Sequence, residues 1–117
     1  MMKILLTENQ TDKVLQMLID RVLQDFRNVC DEDYAGEQPD WFHGYECDFM
    51  DYVTKVEVVN SSMVNVPTIG QVLIGKVNIY HTDNFEIDEE DFLYYITDTI
   101  RIKYKIRVTL GLNEQIF

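Results

Sequence analysis

The chain has 117 residues, 46% of them hydrophobic, and its 21 acidic and ten basic residues give a formal net charge of −11. This length is typical of one domain, and the hydrophobic fraction is that of a globular protein, which excludes a disordered acidic tail. Direct binding to nucleic acid is disfavoured, because phosphates are bound by clustered Lys and Arg. We therefore expect a single α+β domain over residues 1–117 that has no direct nucleic-acid partner.

The first residues contain only a short apolar run, Ile4 to Leu6. A signal peptide or a membrane span needs a much longer one, of ~20 residues for a bilayer, so we expect neither membrane association nor secretion through a signal peptide. The two cysteines, Cys30 and Cys47, form no CxxC pair. We expect two free thiols in a reducing compartment.

The first helix is predicted from apolar residues that recur at spacings of three and four between Val14 and Phe26. Its predicted range is 12–26, and Thr7 and Gln10 stand in front of it with the spacing of a capping box. The preceding residues 3–6 are either a short strand or a lead-in that packs on the same core.

An acidic loop is predicted over about 28–48, because this stretch has no periodicity and contains several carboxylates, two glycines and a proline. Long loops in compact domains are often functional. Three aromatic residues, Trp41, Phe42 and Tyr45, are expected to dock this loop onto the core.

Two strands follow in the prediction. Residues 49–59 are rich in β-branched and aromatic side chains, residues 60–62 form a polar break, and residues 63–66 return to apolar character. After Pro67 and Gly70, a second strand is predicted over 72–81, with Gly75 as a β-bulge. The simplest pairing is an antiparallel meander.

The second helix is predicted to begin at Asp88, which has the character of an N-cap and is followed by three more carboxylates. From residue 100 to residue 112, apolar side chains occupy every even position, which favours a strand. The helix is expected to give way to this strand between Thr99 and Lys105. The predicted fold is a two-layer α+β domain in which an antiparallel β-meander of three to four strands packs against two helices, in the order α-β-β-(β)-α-β.

Metal sites and catalytic motifs have little support. Residues 31–36 resemble the start of a calcium loop, but the side-chain ligand at position five and the carboxylate at position twelve are missing. Cys30, His43 and Cys47 could supply three zinc ligands without the usual close pairing. Phosphate-binding loops and hydrolase motifs are absent from the sequence. We expect no metal, no cofactor and no enzymatic activity.

The basic residues of the C-terminal part alternate with apolar ones: Arg101, Lys103, Lys105 and Arg107. On a strand they would form one positive face that could hold a phosphate backbone or an acidic surface. The favoured interpretation is internal compensation, in which Glu57 or other acids of a neighbouring strand pair with them. If the segment is helical, this positive face disappears.

The acidic residues are concentrated in two stretches without Lys or Arg, 28–54 and 77–100, which hold eight and seven of the 21. Such sorting creates surface fields of one sign, which act on partners and suit a basic protein. An alternative is that spaced carboxylates imitate the phosphates of nucleic acid. The candidate partner-binding residues are Asp31, Glu32, Asp33, Glu37, Asp40, Trp41, Phe42, Asp88, Glu89, Glu90 and Asp91.

The segment Lys3-Ile4-Leu5-Leu6-Thr7-Glu8-Asn9-Gln10, followed by an amphipathic helix, resembles the start of small proteins of tailed bacteriophages. The layout from Ile69 to Tyr80, with an acidic helix and a β-like tail after it, is also similar. The resemblance implies a phage setting, in the host cytoplasm or the virion, and no catalytic residue. We expect a non-enzymatic bacteriophage protein that works through protein-protein contacts, as a structural protein of the virion or its assembly. The competing hypothesis is an acidic inhibitor of a host nucleic-acid-binding or defence protein, and the residues leave the oligomeric state open.

Overall fold

The computed structural model describes residues 8–31, 39–82 and 88–113. They form an α+β fold, as predicted, with helices on a three-stranded sheet. The elements in chain order are α1 (Glu8–Asp31), α2 (Glu46–Met50), β1 (Val53–Val66), β2 (Gly70–His81), α3 (Glu89–Thr99), a π-helical turn (Ile100–Tyr104) and β3 (Val108–Leu112).

The sheet is mixed, which corrects the predicted antiparallel meander. Strands β1 and β2 form a long antiparallel hairpin, whereas β3 pairs in parallel with β2, in the order β1-β2-β3. A parallel pair needs a crossover connection, and α3 supplies it between β2 and β3. The sequence patterns of the strands do not distinguish these two directions.

Helix α1 contains the predicted range 12–26 and extends beyond it at both ends. Its buried side includes Leu15, Ile19, Val22 and Phe26, which belong to the same core cluster as residues of the sheet and of α3. The predicted cap at Thr7 and the segment 3–6 lie outside the described residues. Among the described residues, no helix is both long enough and apolar enough to cross a membrane.

The predicted break at residues 60–62 is wrong, because these residues lie within β1. The buried one of the three, Ser61, finds partners on α1, since its hydroxyl contacts Thr11 Oγ1 at 2.8 Å and also the Asp12 carboxylate. Gln16 of the same helix accepts a hydrogen bond from Val58 N at 2.8 Å. Hydrogen bonds from α1 therefore satisfy polar groups that would otherwise interrupt a buried strand.

The predicted bulge at Gly75 is also wrong, because Gly75 pairs in register with Ser61. The register shifts lie elsewhere in the hairpin, between Val53 and Lys55 and between Val58 and Asn60. A Cβ atom at Gly75 would lie 2.3 Å from Leu15 Cδ2. Gly75 thus allows α1 to approach the sheet closely.

The predicted cap of α3 is confirmed, since the Asp88 side chain accepts a hydrogen bond from Glu90 N at 2.9 Å. Helical structure continues through the π turn to Tyr104, and Lys105 then adopts a left-handed conformation with φ 61°. The helix thus ends within the predicted window, but the final strand begins only at Val108. Residues 100–106 are therefore not part of a strand, and the four basic residues do not form one face of the sheet.

Candidate protein-binding site

The predicted acidic loop is more ordered than its sequence indicates. Helix α1 continues to Asp31 and α2 occupies Glu46–Met50, so both ends of the range 28–48 are helical. Residues 32–38, with three of the candidate residues (Glu32, Asp33 and Glu37) and most of the calcium-like segment, lie outside the described residues.

A disulfide joins Cys30 to Cys47, with their Cα atoms 5.5 Å apart, so the prediction of two free thiols is wrong. The reason is long-range packing: the unpredicted last turn of α1 lies beside the unpredicted α2. The bond also removes both sulfurs from the zinc ligand set with His43. Within the three described ranges, no group of three or more His, Cys, Asp or Glu side chains could hold a metal ion.

Trp41 anchors the segment before α2, as predicted. Its ring stacks on Phe26 of α1 with a centroid distance of 6.0 Å, and the Phe42 ring meets its edge at 6.1 Å. On the other side, Lys103 Nζ lies 5.0 Å from the Trp41 ring centre, a cation–π distance. Trp41 and Phe42 are only partly exposed. Their main contribution is to position their neighbours, and not to offer a free aromatic surface.

His43 contacts two carboxylates, Glu46 of α2 and Asp98 of α3. Its Nε2 lies 2.8 Å from Asp98 Oδ2, and its Nδ1 lies 3.3 Å from Glu46 Oε1 without hydrogen-bonding geometry. Its backbone N–H donates to both Glu46 oxygens, at 3.0 and 2.9 Å. A general base needs a ring nitrogen directed at a substrate. Both ring nitrogens of His43 face carboxylates of the protein, so the arrangement ties the segment to α3.

The two carboxylates beside His43 have opposite pKa shifts. Burial raises the pKa of Glu46, whose side chain has no exposed surface, although the His43 N–H opposes this shift. Partial burial also acts to raise the pKa of Asp98, but hydrogen bonds from Arg101 and His43 outweigh it and lower that pKa. Asp98 is therefore the group of this pair that favours the charged form in the folded protein.

Four rings around this network form a cluster that we call the tyrosine patch: His43, Tyr45, Tyr94 and Tyr95. The Tyr95 ring is central, with centroids 4.7 Å from His43, 6.4 Å from Tyr45 and 6.0 Å from Tyr94. Tyr45 and Tyr94 are 61% and 60% exposed, respectively. The patch thus presents two large aromatic side chains to solvent on a base fixed by a disulfide and by the aromatic core.

Two acidic residues, Asp91 and the buried Glu46, lie close to Tyr95 in the tyrosine patch. Burial raises the pKa of the Tyr95 hydroxyl, and the nearby charges of Asp91 and Glu46 raise it further. Asp91 belongs to the second acidic stretch and Glu46 to the first, so the fold brings one member of each to the same ring. Among the predicted candidates, Asp31, Asp40, Asp88, Glu90 and Asp91 are exposed, and Glu89 is partly buried.

Two of the four basic residues, Arg101 and Lys103, are compensated inside the molecule, by carboxylates of helices and not across the sheet. Arg101 pairs with Asp98 of α3 at 2.5 Å, and Lys103 pairs with Asp25 of α1 at 2.9 Å. Glu57, the predicted partner, lies 3.9 Å from Lys55 of its own strand. The predicted pairing across the sheet is thus wrong, because Arg101 and Lys103 lie in a helical turn and pair with carboxylates of α3 and α1.

The tyrosines of α3 were not among the predicted site residues. Tyr94 and Tyr95 lie between the buried positions Leu93 and Ile96, so they are near the border of the apolar face of the helix. This position at the border of the apolar face could have predicted that the two tyrosines are partly exposed. The link from His43 to Asp98 spans 55 residues and has no local signature. Comparisons with protein-family models, curated proteins and solved structures found no match to this chain.

Proposed function

We propose that this chain is a non-enzymatic bacteriophage protein that works through protein-protein contacts, and that the tyrosine patch is the contact surface. The observation that carries the proposal is the pair of exposed rings, Tyr45 and Tyr94, on a rigid base. Tyrosine is enriched at the centres of protein interfaces, where a large ring is buried at low cost in side-chain entropy.

The exposed carboxylates of the molecule support a basic partner. Asp40, Asp48, Asp51 and Asp91 are exposed and form no ion pair with any cation of the described ranges. Lys and Arg side chains of a partner could contact both these carboxylates and the faces of the tyrosine rings. A component of the virion or of its assembly is the role most consistent with this surface and with the phage-like start of the sequence.

The competing role is inhibition of a host protein that binds nucleic acid. It is favoured by the unpaired exposed carboxylates near α2 and at the start of α3. The two roles differ in their dependence on salt, because an electrostatic mimic loses affinity steeply with ionic strength, whereas a packed aromatic interface does not.

The test is affinity capture from phage-infected cells with the tagged chain, at about 0.05 and 0.5 M salt, beside the double variant Tyr45→Ser, Tyr94→Ser. The proposal predicts capture of phage structural proteins at both salt concentrations, and loss of capture with the double variant. Tyr80→Ser is the control, since Tyr80 is 47% exposed on β2 and lies outside the patch. Capture of only a host nucleic-acid-binding protein, lost at high salt, would favour the inhibitor, and equal capture by the double variant would exclude the patch.

A further inference from the structure

Two of the four basic residues meet at one cavity, although they share no face of the sheet. The cavity has a volume of about 260 Å³ and lies between α3 and the start of β3. Arg101 lines it from the π turn and Arg107 from the residue before β3. This cavity differs from the tyrosine patch because it is lined by exposed cations. Tyr94 borders both.

The backbone explains how residues six positions apart reach the same cavity. Lys105 lies between them with φ 61°, and this left-handed conformation ends the helical run and redirects the chain. The carbonyl of Arg107 accepts a hydrogen bond from Leu73 N at 2.9 Å, which fixes the backbone of Arg107 against β2. Both arginines therefore start from defined backbone positions.

The charge of the cavity is positive in an otherwise acidic molecule. Arg101 Nη2 donates to Asp98 Oδ1 at 2.5 Å, and the other Asp98 oxygen lies 2.8 Å from His43 Nε2. Among the described residues of the lining, Asp98 is the only carboxylate, and both of its oxygens are thus engaged. Arg107 forms no ion pair with any residue that the structure describes. Two guanidinium groups against one carboxylate leave one net positive charge.

The remaining walls are of two kinds. Ile69, Val72 and Val108 are apolar residues of the lining, and Tyr94, Thr97 and Thr109 are its uncharged polar residues. A guanidinium group matches the geometry of a carboxylate or a phosphate, which it can bind with two parallel hydrogen bonds. Apolar walls next to such a group suit a ligand whose anionic head is attached to an apolar body.

We propose that this cavity binds a small organic anion in which a carboxylate or a phosphate is attached to an apolar or aromatic group. Arg107 supplies the free guanidinium, and Arg101, oriented by Asp98, supplies the second. The cavity shares Tyr94 with the tyrosine patch, but its two arginines lie outside the patch, so anion binding can be tested without the protein partner.

The test is titration of the isotope-labelled protein, followed by amide and arginine side-chain NMR signals, with benzoate and phenyl phosphate as probes. Saturable shifts are expected at Arg101, Arg107, Val108 and Thr109, with weaker binding of acetate and inorganic phosphate, which lack the apolar body. Arg107→Gln should weaken binding at least about tenfold, as expected for the loss of one charged hydrogen-bonding partner. A preference for benzoate or for phenyl phosphate would identify the anionic head.

The matched control is Lys105→Gln, which removes the same charge from a residue that does not line the cavity. It should leave the affinity within about a factor of two, since exposed charges are screened by solvent. Equal weakening by Lys105→Gln and Arg107→Gln would show general attraction to a basic segment and overturn the proposal. Shifts that never saturate, or that are as large for acetate as for benzoate, would also overturn it.

Discussion

Gly75 is a residue of the sheet that Leu15 of α1 approaches closely. Replacing it with alanine would place a Cβ atom 2.3 Å from Leu15 Cδ2, in the fully buried core. Because a packed core resists an added methyl group, Gly75→Ala is expected to lower the free energy of unfolding by about 1–3 kcal/mol. Denaturation in urea measures this change.

The control for Gly75→Ala is Gly111→Ala in β3, where the nearest atom is Lys76 Nζ at 3.0 Å. The end of a lysine side chain can move aside, so this variant should change the free energy of unfolding by less than about 0.5 kcal/mol. Equal stability of the two variants would contradict the proposed role of Gly75.

Tyr104 links the π turn to α1, because its hydroxyl donates to Asp25 Oδ2 at 2.6 Å. Partial burial and this carboxylate raise the pKa of Tyr104 to about 12, from an ordinary value of 10.0. The folded state therefore favours the neutral phenol. The stabilisation that comes from the raised pKa of Tyr104 is complete below pH 10 and is lost as the pH rises towards 12.

Tyr104→Phe should lower the free energy of unfolding at neutral pH by about 1 kcal/mol, through loss of this hydrogen bond. The difference between wild type and variant should shrink between pH 10 and about 12, as measured by denaturation across this range. Tyr80→Phe is the control, since the Tyr80 hydroxyl makes an exposed hydrogen bond of 3.2 Å to Glu57. A pH-independent difference for Tyr104→Phe would contradict the assignment.

At the scale of elements, the sequence predicted correctly those features that depend on residues close to one another in the chain. The apolar spacing predicted α1 and α3, and Asp88 marked the start of α3 correctly. The segment 100–106 was misread because Ile96, Ile100 and Tyr104 also satisfy a helical spacing of four. The contact between Tyr104 and Asp25, 79 residues apart, decides between these two periods.

The candidate site was predictable only in part, for the same reason. Trp41 was correctly expected to anchor the acidic segment, because three aromatics in five residues need a core to pack on. The disulfide, the parallel direction of β3 and the link from His43 to Asp98 arise from packing between distant elements. No residue pattern within a single element records them.

The disulfide holds α2 against the end of α1. Because it closes a loop with a sequence separation of 17 residues, its removal in Cys30→Ser, Cys47→Ser should cost about 3 kcal/mol of unfolding free energy. Denaturation with and without reductant measures the effect, and the double variant should not respond to reductant. Detection of two reactive thiols in the wild-type protein, unfolded without reductant, would show that the disulfide is not formed.

At the scale of the whole molecule, the net charge of −11 must be accommodated in a compact fold. Repulsion among exposed carboxylates destabilises the folded state and is screened by salt. The midpoint of thermal unfolding should therefore rise between about 0.02 and 0.5 M sodium chloride. The triple variant Asp40→Asn, Asp48→Asn, Asp51→Asn should show a smaller rise, and a midpoint that falls with salt in the wild type would contradict this expectation.

The distribution of this charge is a second argument, beside the exposed rings of Tyr45 and Tyr94, for proposing the tyrosine patch as the contact surface. Members of both acidic stretches, Glu46 and Asp91, are close enough to Tyr95 to raise its pKa. The basic segment is instead partly neutralised by Asp98 and Asp25. The molecule therefore combines two exposed aromatic rings with an excess of acidic side chains, a combination that would suit a protein partner with a basic surface.

Site-specific photo-crosslinking in infected cells tests this assignment most directly. A crosslinking amino acid placed at position 45 or 94 should yield a discrete crosslinked partner, whereas the same group at position 80, an exposed tyrosine outside the patch, should not. The account predicts the same partner from positions 45 and 94, because both rings pack around Tyr95. Crosslinks from position 80 alone, or equal crosslinks from all three positions, would contradict it.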